Sequence, residues 1–328
     1  MYKESFGLRK SPFSLTPDPT CLYLTEQHRE ALCGLTYAIL QRRGFAVLTG
    51  EVGTGKTTLL ARVVQFMPAN RLQFSMILNP TMTPSEFLEF ALLDFGVTDV
   101  PTSKARRLWM LRDLLLRGER EGKVSALIVD EAHKLSPEVL EEIRLLGNFE
   151  DSGQKFLQIL LVGQNELNGT LARDDMRQLK QRIGLRMSLG PLAPLQVAEY
   201  MRHRWLRAGG MELPFSKEAI EDVAVVSKGI PRVINAVCDN ALLAAFAEGS
   251  SQVLDKHVRA EAAILDLGEL PHREEKAVVN LIPLPPVPAP SHLKGVRSAS
   301  EPESSEPKSS RWAGWAGRLR LTLRHEST

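Results

Sequence analysis

The chain has 328 residues, 43% of them hydrophobic and 24% charged, with a formal net charge of +2. That length accommodates about two domains with extensions, and the composition is that of a soluble globular protein. A near-neutral balance gives no general attraction to nucleic acid, and three scattered cysteines, Cys21, Cys33 and Cys238, suggest reduced thiols and neither a disulfide framework nor a zinc site.

The first residues, Met1 to Phe6, lack the basic and apolar regions of a signal peptide. No apolar stretch reaches the length of a membrane span, so a cytoplasmic location is expected. Ser11-Pro12-Phe13 and Thr16-Pro17-Asp18-Pro19 read as turns, because each proline removes a donor and restricts its predecessor. Glu26 to Leu40 turns helical, with Leu32, Leu35 and Ile39 on one face. Residues 1–40 are expected to be an N-terminal segment packing on the core that follows.

Five apolar runs come next: Phe45–Leu48, Phe74–Leu78, Ala126–Val129, Leu157–Val162 and Leu185–Leu189. They alternate with helix-like segments, one starting near Glu86 and one at Ser136-Pro137-Glu138, which predicts crossovers in a mostly parallel sheet over residues 41–193. The third and fourth runs are almost wholly apolar, as in strands buried on both faces. From 194 to 270 the chain reads as a small all-helical domain, with helices over Leu195–Ala208, Lys217–Ser227, Arg232–Glu248 and Asp255–Leu267. No internal repeat is visible. Residues 271–328 change character. The proline-rich run Ile282 to Pro290 is a semi-rigid spacer, and 291–310 is polar and expected to be disordered. Arg311 to Arg324 carries Trp312, Trp315, Leu319 and Leu323 at helical spacing among arginines. That pattern suggests a short amphipathic helix for an anionic membrane surface or a partner.

Gly50-Glu51-Val52-Gly53-Thr54-Gly55-Lys56-Thr57, followed by Thr58, matches the P-loop pattern in full and lies between a strand and a helix. Glycines let backbone N–H groups wrap phosphate oxygens at a helix N-terminus. Lys56 is then expected at the β- and γ-phosphates of ATP, with the Thr57 hydroxyl on Mg²⁺. The run Ala126–Val129 ends in Asp130 and Glu131. Successive side chains at a strand end point to different places, so Asp130 is assigned to Mg²⁺ through its water shell and Glu131 to polarising the attacking water. Asp130-Glu131-Ala132-His133 spells a helicase-like tetrapeptide, in which His133 is read as an ordinary helix-start residue.

Three further positions fit the same chemistry. Leu157–Val162 ends in Gly163-Gln164-Asn165. Gln164, with Asn165 as the alternative, is the candidate for positioning the lytic water or touching the γ-phosphate. Lys180-Gln181-Arg182-Ile183 precedes the last strand. Arg182, with Arg177 second, could point across a subunit boundary and stabilise transition-state charge at a neighbour's nucleotide. Gly229-Ile230-Pro231-Arg232-Val233-Ile234-Asn235 starts a helix of the second domain, from which Arg232 could reach back to the nucleotide.

These elements, in this order, resemble the AAA+ ATPases, the last one looking like that superfamily's sensor-2 motif. The flanks resemble more specifically the ExeA / general secretion pathway protein A family. They are Tyr2 to Leu8, Pro12 to Pro19, Leu22-Tyr23-Leu24, His28 to Leu32, Leu161 to Gln164 with Glu166-Leu167, and Gln178 to Ile183. The similarity covers roughly residues 1–267; Asn165 stands where many relatives have proline. The resemblance implies an α/β P-loop αβα sandwich with a five-stranded parallel sheet, then a helical lid and a disordered tail. It also implies an oligomeric Mg-ATPase working with membrane-associated export or assembly proteins in secretion, pilus or exopolysaccharide systems. ExeA itself continues into a transmembrane helix and a peptidoglycan-binding domain. This sequence has neither, and the expectation is a short form of the kind found at polysaccharide-export loci. A DNA-associated ATPase of the transposition-helper or origin-recognition type is the alternative, although no helix-turn-helix or strongly basic patch is evident.

Overall fold

The computed structural model describes residues 2–270 except Ala69, Ser152 and Glu269; the spacer and the Trp312–Leu323 pattern lie outside them. Five strands form one parallel sheet: β1 (Phe45–Gly50), β2 (Leu72–Ile77), β3 (Val124–Val129), β4 (Leu157–Gly163) and β5 (Ile183–Leu189). Their spatial order is β2-β3-β4-β1-β5. β1 lies between β4 and β5, with Val47 opposite both Leu161 and Arg186. β3 and β4 are buried along their whole length, which is why both read as almost wholly apolar runs. β5 is an edge strand of alternating exposure.

The sheet is flanked by α1 (Glu26–Leu40), α2 (Lys56–Phe66), α3 (Pro84–Asp94), α4 (Lys104–Arg120), α5 (Pro137–Leu146), α6 (Glu166–Ala172) and α7 (Arg177–Arg182). Their starts are written locally. Thr83 and Glu86 form a reciprocal capping box ahead of Pro84, and Ser136 caps α5 ahead of Pro137; such caps satisfy donors that a helix start leaves open. One core gathers Val47, Leu127, Val129, Ile159 and Leu161 of the sheet with Phe87, Leu88, Leu111, Val139 and Ile143 of the helices.

Four more helices follow: α8 (Pro194–Arg207), α9 (Lys217–Ser227), α10 (Pro231–Ala247) and α11 (Asp255–Ile264). They share a second core, including Val197, Met201, Trp205, Val223, Ile234 and Val237.

The N-terminal segment divides: Glu26–Leu40 packs on the sheet domain as expected, whereas earlier residues pack elsewhere. Leu8 and Phe13 belong to this second, helical core. Phe6 meets Trp205 edge-on, and Phe13 meets Phe215 the same way. Arg204, a buried guanidinium that requires acceptors, ties the segment there. The proline-broken chain supplies them: Arg204 Nε donates to the Pro12 carbonyl at 2.6 Å and Nη2 to that of Ser14 at 3.1 Å. α1 instead packs against β5 and α2.

Candidate functional site

The P-loop joins β1 to α2. Lys56 is buried, and its Nζ donates to the carbonyls of Gly50 and Glu51, each at 2.8 Å. Burial lowers the Lys56 pKa, against the pull of Asp130 and Glu131. Thr57 Oγ1 donates to Asp130 Oδ2 at 2.6 Å. Asp130 also accepts the Glu131 N–H at 2.9 Å. It is almost wholly buried, and desolvation raises its pKa against those two hydrogen bonds. Thr54 closes the loop by donating to the Glu51 carbonyl at 2.9 Å. Among the described residues no group of three or more His, Cys, Asp or Glu is arranged to hold a metal ion. What β3 offers is one desolvated carboxylate touching one hydroxyl, an all-oxygen pair that fits Mg²⁺ bound chiefly through phosphates and water.

The two carboxylates at the end of β3 part company as expected of successive strand-end residues. Glu131 has a left-handed backbone, φ 52°, and its side chain keeps about a third of its exposure, 32%. Its Oε2 lies 3.5 Å from His133 Nε2 and 3.6 Å from Lys134 Nζ. His133 lies in the short helical segment that follows and also comes against the Glu131 carboxylate. The turn at Glu131 leads into a short 3-10 segment, Ala132–Lys134, that lays the imidazole against the end of β4. There Gln164 N donates to His133 Nδ1 at 3.3 Å, and the Gln164 amide lies 3.1 Å from His133 Nε2. Asn165, the alternative to Gln164, precedes α6 as its N-cap and makes no side-chain cap bond there.

The helical region reaches the P-loop through its backbone. Arg232 N donates to the Gly53 carbonyl at 3.2 Å. A Cβ on Gly53, whose φ is +82°, would lie 2.6 Å from that of Arg232, so only glycine permits this approach. Gly229 is similarly fixed: a Cβ there would come within 2.0 Å of the Leu192 carbonyl oxygen. The Arg232 side chain is exposed. Asn235, one turn on, is buried and accepts from Tyr200 Oη at 2.8 Å. Arg182 is partly buried and donates to the Arg144 carbonyl, near the C-terminus of α5, at 2.9 Å; Arg177 is exposed. Neither joins the cluster formed by Lys56, Thr57, Asp130, Glu131, His133 and Gln164.

Two supporting residues escaped the sequence reading. His28 Nε2 meets the Thr54 carbonyl at 3.2 Å, and its Nδ1 meets Thr25 Oγ1 at 2.6 Å; burial lowers its pKa. Asn168 of α6 donates to Thr49 Oγ1, at the end of β1, at 3.2 Å. Thr25 caps α1, but nothing local reveals that a histidine three residues on leans against a loop 26 residues away.

A family described as "AAA domain" matches residues 39–171. General secretion pathway protein A of Aeromonas hydrophila is 42% identical over 255 residues, 77% of this chain and 46% of that protein. Residues 39–171 thus match an AAA domain, and the matched part of the chain is similar to General secretion pathway protein A. This chain spans less than half the length of that relative. ATP-dependent target DNA activator B of Escherichia phage D108 is 27% identical over 252 residues, 76% of this chain and 75% of that protein. Among solved structures, the Aeropyrum pernix ORC2 protein aligns with a TM-score of 0.59 at 17% identity, over 80% of this chain and 73% of that one. Thermotoga maritima RuvB aligns with a TM-score of 0.51 at 17% identity, over 74% and 70%. At that identity they establish the fold alone. The AAA+ core is a nucleotide-binding fold, and no helix among the described residues is long and apolar enough to cross a membrane.

Proposed function

We propose that this protein binds and hydrolyses Mg-ATP, and that hydrolysis drives conformational change in a cell-envelope secretion, pilus or exopolysaccharide export assembly. The observation that carries the ATPase reading is the contact of Thr57 with the buried Asp130 beside Lys56. Phosphates entering the P-loop would draw the Lys56 ammonium from the Gly50 and Glu51 carbonyls onto their oxygens. Thr57 and Asp130 would hold Mg²⁺, which neutralises charge on the β- and γ-phosphates. Glu131, the more exposed carboxylate, accepts a proton from water as the water oxygen bonds to the γ-phosphorus. The bond to the bridging oxygen breaks, leaving ADP and phosphate. Gln164 orients the water. Arg232, at the start of α10, follows the nucleotide state because its backbone already rests on Gly53. Arg182 of a neighbouring subunit completes the site in a homo-oligomer.

The assignment to an export or assembly system rests on the similarity to General secretion pathway protein A, and the partners would be membrane-associated components of it. Peripheral membrane contact through the C-terminal tail belongs to the same reading. The DNA-associated alternative is favoured by the similarity to the phage DNA activator; binding to duplex DNA that weakens steeply with salt would support it. The deciding experiment compares wild type with Glu131→Gln. The variant is expected to bind a fluorescent ATP analogue normally while turnover falls about 100-fold or more, the scale of losing a transition-state contact. Unchanged turnover in Glu131→Gln would overturn the assignment of the base.

A further inference from the structure

His133 stands between the two groups that the reaction assigns to water, Gln164 and Glu131. The hydrogen bonds define its tautomer. The Gln164 backbone N–H can only donate, and it faces Nδ1 at 3.3 Å. Nδ1 therefore presents its lone pair and the ring proton sits on Nε2. That single N–H has two candidate acceptors. The Gln164 side-chain amide nitrogen lies 3.1 Å from Nε2; because that nitrogen can only donate, the amide accepts from the ring once it is flipped so that its oxygen takes the same place. Glu131 Oε2 is 3.5 Å away. The ring is held in this position. Gly163 leaves it room, since a Cβ there would lie 3.0 Å from His133 N and 3.4 Å from Nδ1, and the left-handed turn at Glu131 aims it back over β4.

We propose that His133 is a positioning residue that shares its one Nε2–H between Gln164 and Glu131, and so couples sensing of the γ-phosphate to placement of the base. While Gln164 faces the ring, the N–H is divided and Glu131 is loosely held, with Lys134 as its other neighbour. When the Gln164 amide turns to the γ-phosphate, the N–H passes wholly to Glu131 and fixes its carboxylate where it can take a proton from water. The inference rests on the ATPase reading above. It adds a dependence of Glu131 on Gln164 that passes through one imidazole.

The test uses the full chain and four variants: His133→Ala, His133→Gln, Gln164→Ala and the His133→Ala/Gln164→Ala pair. Turnover is read beside the affinity for a fluorescent ATP analogue. His133→Ala is expected to lower kcat about 10- to 100-fold, the range for a lost positioning contact, and to leave analogue affinity within about twofold. His133→Gln restores an amide N–H near the Nε2 position and recovers part of kcat. Because His133 and Gln164 act in one chain of contacts, the pair is no slower than its slower member. Wild-type kcat in His133→Ala overturns the proposal. So does loss of affinity in step with kcat, or losses that multiply in the pair. If His133→Ala fails to fold, His133→Gln carries the test, and a folded glutamine variant no faster than Gln164→Ala overturns the relay. Absence of turnover in the wild type, or full turnover in Glu131→Gln, instead defeats the underlying ATPase reading and the relay with it.

Discussion

Around the P-loop three side chains are already paired, Lys56 and His28 buried and Thr57 partly so: Lys56 on two carbonyls, Thr57 on Asp130, His28 on Thr54. The three arginines expected at the site are placed differently. Arg177 and Arg232 are exposed, and Arg182 is turned to the carbonyl of Arg144 on α5. One region is assembled by the sheet within one chain. The other lies outside that cluster, at the surface or against α5. A cation held on backbone carbonyls beside a buried carboxylate is preorganised and contributes to binding. A cation left at the surface is screened and contributes little until something closes over it.

The largest effect that would sharpen this contrast is at Arg182. If it acts in trans, Arg182→Ala lowers turnover about 1000-fold, the low end for an arginine that stabilises phosphoryl-transfer charge. Wild-type specific activity should also rise with protein concentration, because the site is then shared between subunits. Flat activity, equal in both proteins, would break the comparison and leave Arg182 as the cap on α5 that it forms here. Next in size is Lys56→Ala. Removing its charge-assisted contacts costs about 3 kcal/mol, or roughly 100-fold in nucleotide affinity, read by titrating a fluorescent ATP analogue.

How much of this was legible in the sequence differs between the same two regions. The P-loop, Asp130 and Glu131 are local patterns whose chemistry needs fixed spacing, so the sequence displays them together. All five strands were visible because apolar runs bounded by turns are also local. What escaped depends on separations the chain does not spell out. Arg204 fastens Pro12 and Ser14 across 190 residues or more, which draws the N-terminal segment to the helical part. His133 acquires its role only because β3 and β4 are neighbours in the sheet, bringing it to Gln164 across 31 residues. The helix α4 was not singled out, since its apolar face is interrupted by arginines; Arg107, one of them, is buried and bonded to Ser85, Glu89 and Pro101.

A smaller effect tests whether the lid and the P-loop move as one. Gly53→Ala puts a methyl group where only 2.6 Å separates it from the Arg232 Cβ and demands a left-handed backbone of a residue that resists it. The expected outcome is a loss of about 10-fold in turnover, equivalent to roughly 1.4 kcal/mol. The cause would be displacement of α10 together with strain in the P-loop backbone at residue 53. Normal turnover would mean that Arg232 does not depend on its seat at Gly53.

The smallest effect concerns His28, and its sign follows from burial. Desolvation holds its folded pKa below the ordinary 6.5, so between those two values the unfolded chain binds a proton that the folded one does not. Stability attributable to His28 is complete above about pH 6.5, the unfolded value. It is lost progressively as pH falls to the depressed folded value, and is constant below it. His28→Asn removes the titration. Thermal melts of the two proteins across pH 8 to 5 should therefore diverge in slope, with the wild-type melting temperature falling more steeply on the acid side of pH 6.5. Parallel slopes would mean that the imidazole is as easily protonated against Thr25 and Thr54 as in water. A steeper wild-type slope, with turnover at pH 8 little changed in the variant, would identify His28 as a support of the P-loop from behind, acting through the Thr54 carbonyl and outside the chemistry that Lys56, Asp130 and Glu131 perform.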